Sequence, residues 1–185
     1  MTIEVQESEG MGALRAYYLL DGLENDIRLY IKDNICPNFY RSLAFMSPNI
    51  RDNAFHRLII KLPDAKIDDS DIGEKVLSYL NTMEGIQTIR SNPNYIESSI
   101  FKHIQENYKE FERYLGLTRA DIAHCRLDDD AEFKDWYAFC ARISHESPIW
   151  VKLAERVENV LGLTLGDIKE KELQKSKRAE EKRIE

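Results

Sequence analysis

Apolar residues recur at helical spacing along most of this chain. From Gly12 to about Asn34, Leu20, Leu23, Ile27, Tyr30 and Ile31, with Ala13 and Ala16 upstream, share one face at 3.6 residues per turn, which predicts a long amphipathic helix. Cys36-Pro37-Asn38 should break it, because proline removes a donor and crowds the preceding turn. Phe39–Ala54 is aromatic and interrupted by Ser47-Pro48-Asn49, which predicts one or two short helices. Arg57–Leu62 (RLIIKL) fits a strand or the end of a helix. A helix over Glu74–Ser91 carries Val76, Leu77, Leu80, Met83, Ile86 and Ile89, and Asn92-Pro93-Asn94 stops it. Glu97–Leu115 has the cleanest stripe: Ile100, Ile104, Tyr108, Phe111 and Leu115. Gly116 predicts a break. Thr118 with Asp121 three residues on then forms a T-x-x-D capping box for the next helix. Leu127–Asp130 reads as a kink or loop. Glu132–Ser144 forms a helix with Phe133, Trp136, Tyr137, Phe139 and Cys140, and Ser147-Pro148 restarts one through Trp150, Leu153, Val157 and Val160. A short strand at Ile3–Val5 is the one β candidate in the acidic lead-in. Beyond Asp167 the chain is nearly all charge with no apolar seam, so the pattern divides into an all-α domain over residues 1–168 and a charged helical tail over 169–185.

Composition narrows this picture. A chain of 185 residues, 43% hydrophobic and 32% charged, has the make-up of one folded domain able to bury a core. Nine Tyr and seven Phe against eight Gly and five Pro favour packed helices over a turn-rich β fold. The net charge of −7 argues against wrapping nucleic acid by charge alone, so any such contact must be a local basic cleft. Cys36, Cys125 and Cys140 form no C-x-x-C pair and no zinc spacing, which reads as free thiols in a reducing compartment. The acidic N-terminus lacks the features of a signal peptide, and no apolar run approaches the ~18 residues of a membrane span, so a cytoplasmic protein with no membrane contact is expected. The aspartates at 64, 68, 69 and 71 lack EF-hand spacing. No metal and no cofactor is expected.

Candidate chemistry sits just after the Gly116 break. Arg119 and His124 form R-x4-H, placing a fixed cation and a near-neutral base beside a chain reversal. The spacing alone is cheap: the chain has thirteen arginines and four histidines, and Arg51–His56 repeats it. Context separates the two, because Arg119-Ala-Asp-Ile-Ala-His124 follows a capped break and a long amphipathic helix, whereas Arg51–His56 lies next to Pro48 in a region of loop character. His103 and His145 have no partner pattern in the sequence. Glu24 falls inside the apolar stripe of the first helix. Buried alone it would cost several kcal/mol, so it needs either Arg28 at i+4 or Arg119 from across the core.

These residues resemble the HEPN superfamily, whose signature is an Arg followed closely by "IAH". Tyr17–Ile31 (YYLLDGLENDIRLYI) is similar to the first HEPN helix, with Glu24 and Arg28 in place. Val76–Ile89 is similar to a middle helix of the branch found in bacterial defence proteins, and the likeness covers about residues 12–160. Ala120 stands where the family usually has Asn, Asp or His. The resemblance implies an all-α up-down bundle that dimerises and faces two R-x4-H motifs across a cleft. Five residues along a helix is 500°, so Arg119 and His124 point about 140° apart, and a two-fold partner would bring them together. It further implies a metal-independent endoribonuclease of defence or toxin type. His124 would take the proton of an RNA 2′-hydroxyl and Arg119 would hold the scissile phosphate, with Glu24, Asp121 and Arg126 in support. Tyr114 is a candidate for base stacking or for packing. RNA and a second copy of the chain are the expected partners, and a regulatory or antitoxin protein fits the same class.

Two other readings start from the same stretch. One is a catalytically inactive HEPN-like dimerisation or regulatory module, to which Ala120 points. The other is a DNA-binding regulator, because GLTRADIAHCRL also resembles a phrase of helix-turn-helix repressors. The acidic charge and the wide spacing from Ala123 to Ile143 count against the second.

Overall fold

Ala16, Leu19, Leu20, Leu23 and Ile27 are each at most 2% exposed on the inner face of helix α1, Glu9–Tyr30, which realises the predicted stripe. Each of the leucines and Ile27 contributes about 1.5–3 kcal/mol by burial, and Ala16 less. In the computed structural model, which describes residues 9–39, 43–66, 71–118 and 130–161, all regular structure is helical. None of the described helices is long and apolar enough to cross a membrane. The candidate strand at Ile3–Val5 and the 169–185 tail lie outside the described residues.

The break expected at Cys36-Pro37-Asn38 does not occur. A π-helical stretch, Ile31–Ile35, and a 3-10 turn, Cys36–Phe39, carry the winding onward. Leu23, Ile27, Ile31 and Ile35 follow each other at intervals of four, which drifts 40° per step on an α-helix. The wider π turn absorbs that drift and keeps Ile31 and Ile35 fully buried. Pro37 falls in the first turn of the 3-10 segment, where its missing N–H has no helical acceptor to lose.

Helix α2, Pro48–Lys61, begins with proline at its first position behind an extended Ser47. The ambiguous Arg57–Leu62 stretch is its final turn, and Ala54 and Leu58 are buried. Arg51 and His56 therefore lie on a helix rather than in a loop, with Arg51 paired to Asp52 at 2.9 Å and His56 exposed.

The single helix expected over Glu74–Ser91 is two: α3, Ile72–Leu77, and α4, Thr82–Arg90. Asn81 restarts the chain with a reciprocal capping box. Its side chain accepts from Glu84 N at 2.9 Å, and Glu84 accepts from Asn81 N at 2.9 Å. Asn81-x-x-Glu84 was readable in the sequence, but an uninterrupted apolar stripe masked it. Helix α4 presses on α1 at Gly85, where an added Cβ would sit 2.3 Å from Ile27 Cγ2. Ile27 is β-branched with essentially one helical rotamer, and is 1% exposed. Gly85→Ala is thus expected to destabilise by about 2 kcal/mol despite alanine's better helix propensity, lowering Tm by about 4–8 °C. An unchanged Tm in a thermal melt would show that α1 and α4 separate without cost.

Helix α5, Ser98–Glu106, is interrupted at Asn107 and continues as α6, Tyr108–Phe111, and a π-helical stretch, Glu112–Thr118. Winding passes through Gly116 as far as Thr118, so the expected break there is absent, and the Thr118–Asp121 capping box runs into residues outside the described ones. Glycine costs only about 1 kcal/mol in a helix. Fully buried Phe111 and nearly buried Leu115 offset more than that. The polypeptide resumes in α7, Asp130–Glu146, and α8, Val151–Leu161.

Side-chain contacts fix the direction of these helices. Asp26 near the end of α1 meets the first turn of α8, while Arg156 further along α8 returns to Asp21 and the Tyr18 carbonyl, so the two helices run antiparallel. Arg142 bonds Asn107 Oδ1 at 2.9 Å and pairs with Glu110, and Tyr114 lies on Phe139. The bent helix and α7 are therefore antiparallel too.

Candidate functional site

Arg119, Asp121, His124 and Arg126 lie outside the described residues, as do Ala120 and Cys125. Their two flanks are described, and both are locked by aromatic packing. Tyr114 stacks on Phe139 with centroids 4.6 Å apart and planes at 27°, and Trp136 is 6.2 Å from Tyr114. The Trp136 indole donates to the Ala16 carbonyl at 3.3 Å. Tyr114 is thus half-buried, with one ring face taken by Phe139. Thr118 is four residues beyond Tyr114 and Asp130 six before Trp136, about 6 and 9 Å along their helices. Of the two flanks, α7 reaches α1 directly, through the Trp136 bond to Ala16. On the face of α1 opposite Ala16, Leu14, Tyr17 and Tyr18 are exposed at 63%, 53% and 40%.

Glu24 is held within its own neighbourhood. It accepts from Arg28 Nη2 at 3.0 Å and from Thr82 Oγ1 at 2.6 Å. Arg28 also donates to the Leu80 carbonyl, from Nη2 at 2.8 Å and Nε at 3.3 Å. Of the two roles open to Glu24, the i+4 pair with Arg28 is present. The pair joins α1 to the segment that caps α4, and Thr82 is 1% exposed in that joint.

A groove of about 570 Å³ runs between α1, α3 and α8, and Arg28, Lys32, Lys152 and Arg156 line it. Each cation already faces a carboxylate: Glu24, Glu74, Glu155 and Asp21 respectively. Charge-balanced in this way, the groove has little pull on an anion. Among the described residues no group of three His, Cys, Asp or Glu side chains could hold a metal ion. Burial pushes the Cys36 thiol up to about 11 and Cys140 well above the ordinary range, which leaves both without the thiolate character of a nucleophile.

His103, without a partner pattern in the sequence, is the centre of a buried network. The Trp150 indole, which can only donate, points at His103 Nε2 from 2.7 Å. The proton of the neutral ring is then on Nδ1, 3.6 Å from Glu146 Oε2. Asn107 Nδ2 bonds the His103 carbonyl at 3.0 Å and Glu146 at 3.3 Å. His103-x-x-x-Asn107 spacing is visible in the sequence, but Trp150 arrives from another helix.

Burial lowers the His103 pKa below 6.5, and Glu146 only partly opposes this. The unfolded chain takes up this proton near pH 6.5 and the folded chain resists it, so stability falls as pH drops below about 6.5 toward the lowered value. His103→Gln keeps an acceptor for Trp150 and does not titrate. Its urea midpoint should fall less than the wild type's between about pH 7 and 5. Parallel curves for the two proteins would mean that the ring is not held neutral.

No family model, curated protein or solved structure matches this chain.

Proposed function

We propose that the chain is a metal-independent endoribonuclease of the HEPN type, with its site completed between two copies. One observation carries this reading. Helix α1, the stretch similar to the first HEPN helix, leaves Leu14 and Tyr17 exposed in its N-terminal half, an apolar surface for a second copy to cover. A site shared between two copies requires such a surface. Antiparallel pairing of α1 with α8, and of the bent helix with α7, agrees with an up-and-down bundle of that family. Glu24 and Arg28 play a supporting part by fixing α1 to α4.

In this reaction His124 removes the proton of a 2′-hydroxyl, and the resulting oxygen attacks the adjacent phosphorus. Arg119 hydrogen-bonds the phosphate oxygens and stabilises the charge that accumulates there. The 5′-oxygen leaves with a proton as a 5′-hydroxyl, and the other fragment ends in a 2′,3′-cyclic phosphate. Purified chain incubated with total RNA should give fragments with those two ends, equally with and without EDTA. Intact RNA, 5′-phosphate ends or loss of cleavage in EDTA would overturn the proposal. Intact RNA with a stable dimer would instead favour the inactive module.

A further inference from the structure

Arg90, the last residue of α4, differs from six other described arginines. Arg28, Arg51, Arg57, Arg113, Arg142 and Arg156 each face a carboxylate. Arg90 faces none among the described residues, and its Nε is shielded from solvent with no hydrogen-bond partner. Its guanidinium lies flat on the Tyr108 ring, 3.7 Å from the centroid, which fixes its plane and orientation.

The same guanidinium lines a hollow of about 400 Å³ between the start of α2, the end of α4 and the α5–α6 joint. Ser47, Gln87, Ser91, Gln105 and Tyr108 complete most of its wall, and among the described residues no acidic one lines it. The Ser91 hydroxyl is committed to the Gln87 carbonyl at 2.9 Å. The Ser47 hydroxyl makes no capping bond to α2. The N–H groups of Asn49 and Ile50 lie in the first turn of this helix of 14 residues, ahead of the first backbone bond from Arg51 to Ser47. A lone cation is thus surrounded by neutral donors: one hydroxyl, two carboxamides and a helix start.

We propose that this hollow is an oxyanion site that takes a phosphate group. A half-buried guanidinium with no carboxylate among the described residues, its plane set by stacking, is open to an anion that accepts from its Nη groups. The donors outnumber the two oxygens of a carboxylate and suit the several oxygens of a tetrahedral phosphate, which a helix N-terminus also favours. The volume leaves room for a sugar attached to it. The phosphate comes either from a free phosphorylated small molecule or from a nucleic-acid backbone. The residues named here include neither Arg119 nor His124, and occupation of the site does not depend on cleavage.

The test is titration calorimetry of the full chain with three probes: inorganic phosphate, a 5′-mononucleotide, and a single-stranded DNA oligonucleotide that has no 2′-hydroxyl to react. At least one should bind saturably, and Arg90→Gln should weaken it about tenfold or more, while Arg113→Gln, a surface arginine elsewhere, leaves it unchanged. Binding of phosphate and mononucleotide identifies a small-molecule site, and binding of the oligonucleotide alone identifies a backbone contact. In wild-type protein the Arg90 Nε–H resonance should shift and saturate with the same probe, a readout that holds even if Arg90→Gln fails to fold. No saturable binding by any probe, or equal binding by Arg90→Gln, overturns the site.

Discussion

Asp26→Ala is expected to lower the free energy of unfolding by about 3 kcal/mol, among the larger effects for a single polar side chain in this molecule. Asp26 is 3% exposed, yet its two oxygens accept from the backbone N–H groups of Lys152 and Leu153, each at 2.8 Å. Those N–H groups belong to the first turn of α8, where no intrahelical acceptor exists. A carboxylate of α1 therefore serves as the cap of a helix more than a hundred positions away, and the helix dipole adds to the attraction. Burial nonetheless raises the Asp26 pKa above 3.8, outweighing the two N–H groups and Arg156. Neutral Asn avoids that desolvation and keeps one acceptor, so Asp26→Asn should cost roughly half as much as Asp26→Ala. Urea unfolding followed by circular dichroism measures both. Equal stability of Asp26→Ala and wild type would mean that α8 docks by apolar contact alone.

Arg119→Ala and His124→Ala should each reduce RNA cleavage by about 100-fold or more, with no change in Tm. A general base contributes about 10²–10⁴ in rate, and a donor aimed at developing charge about 10²–10³. If the two act on one phosphate across a two-fold interface, mixing the inactive single variants should restore part of the activity, because one of the two composite sites in a mixed dimer is intact. Single-turnover rates on a defined RNA, measured alone and in mixtures, give the answer. Cleavage that survives either substitution would remove that residue from the mechanism. Equal loss accompanied by a lowered Tm would assign it to the fold.

The expected stripes of α1, of Ile100–Leu115 and of α8 correspond to buried faces, because one-sided burial imprints its period directly on the order of residues. Arg119 and His124 were likewise legible as residue types in a pattern, and what the sequence says of them is chemical rather than geometric. Where helices end was less legible. Pro37 and Gly116 carry local penalties of a few kcal/mol at most, and burial of Ile35, Phe111 and Leu115 overrode them. At Asn81 a local signal was present and outvoted by the longer apolar pattern.

The order of apolar and polar residues by itself determined that this chain is helical and which face of each long helix turns inward. Tertiary structure alone decided that Asp26 caps α8, that Trp150 bonds His103 and that Arg90 stacks on Tyr108 without a counter-ion. Burial acts on each segment against the same solvent, so its record is local. A polar group's partner depends on which distant backbone or side chain the packing brings within about 3 Å, and no short-range pattern carries that distance.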